Sequence, residues 1–196
     1  MRVWARIAAG AILATLAATP SAGTPITPAA TRIPTPLATP VVTDADRAEL
    51  RARGLAFPVP EISPATVRDT FADRRGGGGR AHDALDIAAP RGAPVVAVDD
   101  GTVVKLFRSV PGGLTIYVFD GPRRFAFYYA HLDRYAPGLA EGQRVARGDV
   151  LGYVGTTGNA SQDAPHLHFA ILKLEPAPRW WHGTPLDPHP LLVAPR

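Results

Sequence analysis

The 196-residue chain contains no cysteine. Disulfides, a thiolate nucleophile and thiolate metal sites are therefore excluded. An excess of one charge is also missing. Lys and Arg number 21 against 17 for Asp and Glu, and no long run of like charge occurs. So weak a basic bias is compatible with an anionic polymer without singling one out, and no nucleic-acid partner is expected. Long apolar runs are absent as well. The longest, residues 7–18, is too short to span a bilayer as a helix. Three catalytic signatures are missing too: a His-Glu-x-x-His helix, a Gly-x-Ser-x-Gly elbow and a phosphate-binding loop. After residue 54 no helical period longer than about three turns is found.

Arg2 and Arg6 precede the apolar run, and Pro20 follows it at once. A charged start, a short apolar core and small residues at 21–23 fit a secretory leader, so residues 1–23 are expected to be a signal peptide or a membrane anchor. Export to a periplasm, a cell wall or the exterior follows. Residues 24–43 continue with Pro25, Pro28, Pro34, Pro36 and Pro40 among Thr and Ala, the composition of a semi-extended linker. Thr43, with Asp46 three residues on and Gly54 as a stop, predicts one short helix over residues 44–53.

Beyond residue 57 the pattern is that of strands. Residues 94–98, 102–107, 114–119, 124–132, 150–155 and 166–173 are rich in β-branched and aromatic side chains. Turn residues at 99–101, 111–113 and 120–122 separate the first four. The fold class expected is mainly β, a single antiparallel β domain over residues 44–192 with one short N-terminal helix.

The chemistry-bearing residues are histidines. His82 and Asp86 lie four apart between a glycine run and Pro90, which favours strand or loop over helix. His166 and His168 project from one face of an extended strand, about 7 Å apart. His131 ends the aromatic strand. A catalytic zinc takes about three His, Asp or Glu ligands and keeps one position open for water. His82, Asp86 and one histidine of the last pair make such a set and leave two histidines for substrate.

Several stretches then carry a family likeness. They are residues 69–73, His82-x-x-x-Asp86-Ile87, residues 89–97, Gly101-Thr-Val-Val, Tyr129-Ala-His-Leu132, Gly142-Gln-x-Val-x-x-Gly148, Gly155-Thr-Thr-Gly158, Pro165-His-Leu-His-Phe169 and residues 183–188. In this order, over about residues 55–192, the chain resembles the lysostaphin-type, LytM-like zinc endopeptidases. The resemblance implies a barrel-like sheet of the duplicated-hybrid-motif type. It implies one Zn2+ per chain on His82, Asp86 and His168, with His131 and His166 catalytic. It also implies hydrolysis of peptide cross-links in bacterial peptidoglycan, by a monomer with no membrane contact beyond the leader. Some LytM-like modules instead only activate wall amidases, but those usually lack a ligand, and this chain lacks none; a zinc peptidase with a protein substrate outside the wall is the other alternative.

The chain departs from the family pattern at Ala84, where glycine is usual, and at Ala170, where Glu is common. The tyrosine that often precedes the first ligand is also missing; residues 75–80 read Arg-Gly-Gly-Gly-Gly-Arg, leaving Arg80 as a substitute or as part of a solvated loop. Trp180, Trp181 and His182 either line a groove or pack a C-terminal arm. His189, between two prolines, reads as structural or exposed.

Overall fold

The computed structural model describes residues 40–75, 77 and 79–193. The expected leader, residues 1–23, and all of the expected linker except residues 40–43 lie outside these. Helix α1, Asp44–Arg53, has the bounds its caps predict. Thr43 and Asp46 form a reciprocal capping box, and Gly54, at φ 63°, ends the helix in the left-handed conformation that glycine adopts without a Cβ clash. A single 3-10 turn follows at Pro64–Thr66, and a one-turn helix α2, His189–Leu192, closes the described part.

Among the described residues, eleven strands lie between. They are β1 Arg74–Arg75, β2 Arg80–Ala81, β3 Leu85–Ala88, β4 Pro94–Val96, β5 Gly101–Ser109 and β6 Gly113–Asp120. Then come β7 Phe125–Tyr135, β8 Arg144–Val145, β9 Val150–Val154, β10 His166–Lys173 and β11 Thr184–Leu186. Strands β1 and β2 make a small separate hairpin; the other nine share one antiparallel sheet. Its main path runs β11-β10-β7-β6-β5-β8, with β3 added to β10, and β9 joining β7 to β4. The expected barrel-like closure is not formed. The path ends on two short edge strands, and β7 turns away from β10 midway along its length.

That turn sets the site. Residues 125–130 of β7 pair with β10, whereas Leu132, Arg134 and Tyr135 pair with β9. Against β6, Leu132 faces Leu114 and Tyr129 faces Ile116. Ala130 and His131 therefore share the single partner Thr115, which is a β-bulge. His131 sits in it at φ 59°, a left-handed conformation costing a residue with a Cβ about 1 kcal/mol or more.

Strand parity then sorts core from groove. Leu167, Phe169 and Ile171 of β10 are fully buried, as are Phe127 and Tyr129 of β7 and Ile116 and Val118 of β6. Each contributes about 2 kcal/mol by leaving water. The opposite face of β10 carries His166, His168, Ala170 and Leu172, which line a cavity of about 540 Å³.

Candidate functional site

Strand pairing brings the distant motifs together. In the antiparallel register β3–β10, Asp86 stands directly opposite His168. His82 enters from the chain just before β3. His82 Nε2 lies 3.0 Å from both Asp86 Oδ1 and His168 Nδ1, and His168 Nδ1 lies 3.2 Å from Asp86 Oδ1. Of the described residues, these three are the group whose donor atoms converge closely enough for one metal ion.

The donor chemistry points the same way. His82 Nδ1 donates to the Thr70 carbonyl at 2.9 Å, so its Nε2 presents a lone pair to the Asp86 carboxylate oxygen. Two acceptors 3.0 Å apart with no proton between them repel unless a cation is shared. Ligand atoms held tetrahedrally at about 2.05 Å from one ion lie about 3.3 Å apart. The observed triangle is within a few tenths of an ångström of that. Burial opposes ionisation of Asp86, but the His168 and His82 rings beside it hold its carboxyl well below the ordinary carboxylate range. Burial also pushes the His168 imidazole down, towards the neutral form that a metal requires.

Thr70 positions this group, a role the sequence did not announce. It is buried, and its hydroxyl accepts from the Asp86 backbone N–H at 2.9 Å while donating to the Ala84 carbonyl at 3.2 Å. Its own carbonyl holds His82. One residue thus orients the first two donors, in the manner of the outer partners of metal ligands. Residues 69–73 belonged to the family likeness, but nothing in their pattern gave Thr70 a function. The second Asp86 oxygen, Oδ2, takes Arg75 Nη2 at 2.5 Å. Arg80 lines the same cavity and is exposed. Ala84 is fully buried, and Ala170 faces the cavity beside Tyr128.

The two remaining histidines stand next to the triangle. The His131 and His166 rings meet edge-on with centroids 4.9 Å apart, and His131 lies 5.6 Å from His168. By simple alternation from Tyr128, His131 would point into the core; the bulge re-aims it into the cavity. Its backbone N–H donates to Gly112 at 2.8 Å, and its Nδ1 donates to the Thr157 carbonyl at 2.8 Å. Thr157 is seated because Gly113 leaves room for it: a Cβ on Gly113 would come 2.2 Å from Thr157 Oγ1. His166 Nδ1 donates to the Ala164 carbonyl at 2.9 Å. In both rings the proton is therefore on Nδ1, and Nε2 is free to accept. Burial lowers the His131 pKa to about 4, only partly offset by the Thr157 carbonyl, so the ring is neutral near pH 7.

The other two histidines do not line this cavity: His182 Nδ1 lies 3.1 Å from an oxygen of buried Glu175, and His189 Nε2 meets the Val67 carbonyl at 3.1 Å. Trp180 packs on the sheet, whereas Trp181 is largely exposed.

The chain is similar to several known proteins. The chain is 36% identical over 145 residues to the L-Ala–D-Glu endopeptidase of Bacillus subtilis (strain 168), covering 71% of this chain and 43% of that protein. A lytM structure from Ruminococcus gnavus ATCC 29149 superposes with a TM-score of 0.62 at 32% identity, over 76% of this chain and 62% of the other. A zinc containing peptidase from Vibrio cholerae gives 0.55 at 27% identity, over 69% and 39%. The chain spans less than half the length of the curated relatives it matches. The model of peptidase family M23 matches residues 80–188, more than half of the sequence and all of the histidine motifs, and the chain belongs to that family.

Proposed function

We propose that the chain is a zinc endopeptidase that hydrolyses peptide cross-links of bacterial peptidoglycan. The observation that carries this reading is the triangle of His82, Asp86 and His168 donor atoms, open to a cavity that two further histidines also face. A relative of 35% identity over 91 residues that is a peptidoglycan DD-endopeptidase supports the substrate class.

His82 Nε2, Asp86 Oδ1 and His168 Nδ1 would hold one zinc ion per chain. An ion there supplies Lewis acidity towards the scissile carbonyl and brings the pKa of water towards about 7. The protein supplies the proton handling. His166 lies 20% exposed beside the triangle, its Nε2 3.9 Å from Asp86 Oδ1. It takes the proton from the attacking water and returns it to the leaving amine. His131 Nε2, neutral and lacking a hydrogen, accepts a hydrogen bond from that water and orients it. For the same reason His131 does not donate to the developing oxyanion.

With residues 1–23 read as a signal peptide or membrane anchor and residues 24–43 as a linker, the domain at residues 44–192 works outside the cytoplasm, as a monomer. Purified protein incubated with peptidoglycan sacculi tests the reading, with mass spectrometry of the products. Release of muropeptides from cross-linked material is expected. Intact sacculi, combined with stimulation of an added amidase, would replace the enzyme by an activating module. Fractionation of cells carrying the chain with and without residues 1–23 tests export, and retention of the full chain in the cytoplasm would refute it.

A further inference from the structure

A row of aromatic rings leads out of the site across the sheet. The His168 and Tyr128 centroids are 5.9 Å apart, Tyr128 and Tyr117 4.6 Å, and Tyr117 and Trp180 5.1 Å. Trp180 in turn meets Phe107 at 5.2 Å and Trp181 at 5.3 Å. The register explains the row, since Ala170, Tyr128, Tyr117 and Lys105 are successive cross-strand partners on β10, β7, β6 and β5. The near rings line the catalytic cavity; the far ones open to solvent, with Trp181 57% and Phe107 39% exposed. Large exposed rings grouped beside a cavity mark a binding surface. Cations flank them: Lys105 Nζ lies 6.0 Å from the Trp180 ring and the Arg179 guanidinium 5.9 Å from Trp181.

We infer that Trp181, Trp180 and Phe107 form a platform for an N-acetylated pyranose of the wall glycan. The inference rests on the peptidoglycan reading above. A pyranose has an apolar C–H face that lies on a ring and a rim of oxygens that accept hydrogen bonds, and the platform offers ring faces edged by donors. The carboxylates nearby are engaged: Glu141 with Lys105 at 2.9 Å, and Glu175 with Arg179 and His182. Each pair uses only part of its cation, since an ammonium carries three N–H groups and a guanidinium five, so Lys105 and Arg179 keep donors for the edge. Spacing agrees with a sugar carried on a peptide. Trp180 lies no more than about 16 Å from the His168 ring, a span that four or five extended residues cover. The platform then holds the glycan while its peptide crosses Tyr117 and Tyr128 to the triangle.

The test uses the full chain and a tetrasaccharide of N-acetylglucosamine, followed by tryptophan fluorescence and by NMR shifts of the indole N–H groups. The wild type is expected to bind it, and Trp181→Ala to weaken binding about tenfold, with partial rescue in Trp181→Phe. A second measurement compares KM on sacculi with KM on a sugar-free cross-linked peptide; the Trp181→Ala ratio should rise about tenfold. No tetrasaccharide binding by the wild type, or unchanged binding by Trp181→Ala, overturns the proposal. So does an equal loss on sugar-free peptide, which assigns the platform to the peptide. If the wild type cleaves neither substrate, the endopeptidase reading fails, and the saccharide titration alone still decides the platform.

Discussion

Thr70→Val separates the support of the site from the site itself. The substitution keeps the shape and the backbone carbonyl that holds His82, and removes only the hydroxyl. Two partners lose it: the Asp86 N–H at 2.9 Å and the Ala84 carbonyl at 3.2 Å. A buried N–H left without a partner costs about 1–3 kcal/mol, and the carbonyl, behind a residue with no exposed surface, adds less. A loss of about 2 kcal/mol lowers Tm by roughly 4–8 °C for a domain of this size. Asp86 also loses the contact that fixes its place opposite His168, so zinc affinity should fall about 10- to 100-fold. Differential scanning fluorimetry of the metal-free protein gives the first number, and competition with a chromogenic chelator the second. Thr70→Ser keeps the hydroxyl and should bind zinc within a few-fold of wild type. Wild-type Tm and zinc affinity in Thr70→Val would refute the reasoning, because the hydroxyl would then be a bystander.

Three further outcomes are expected. His82→Ala, Asp86→Ala and His168→Ala should each lose zinc by metal analysis, and full occupancy in any one removes that residue from the ligand set. His131→Ala and His166→Ala should keep zinc yet lose on the order of 10²-fold in rate, the scale of a positioned proton-transfer group; wild-type turnover by both would end the proposed mechanism. The third concerns acid stability. Burial opposes ionisation of Asp46, but hydrogen bonds from Lys173 at 2.6 Å and from Thr43 hold its carboxyl well below 3.8. A carboxyl depressed in the folded state stabilises above its unfolded value and loses that contribution as pH falls through the folded one. Thermal unfolding from pH 5 to pH 2 should therefore drop more steeply in the wild type than in Asp46→Asn, and parallel curves would exclude the effect.

Local signals made the strands and α1 readable, because β-branched runs between turn residues and a capping box act within a few residues. The His-x-His pair was readable for the same reason: a two-residue period needs no knowledge of the partner strand. Thr70 was not, since its hydroxyl matters only once β3 lies 14 to 16 residues further on. His131 illustrates a different obstacle. Its face depends on a bulge set by the opposing β6, and strict alternation would have sent Tyr128 to the groove and His131 to the core. The open sheet departs from the expected barrel because β7 exchanges β10 for β9 at that same bulge, an exchange no single strand encodes. The very short β1, β2, β8 and β11 carry too few residues for any period to show.

The opposition of Asp86 and His168 also bears on when the centre comes into being. The donors sit 82 and 86 positions apart in the chain, and β10 is at once the strand that completes them and the partner of β3, β7 and β11. A chain that has not yet placed β10 has two donors and no third, and so little hold on an ion. Pairings of such long range form late and slowly. Metal capture would thus wait until β10 joins the sheet, and a chain still in transit as an unfolded polypeptide would travel without an ion.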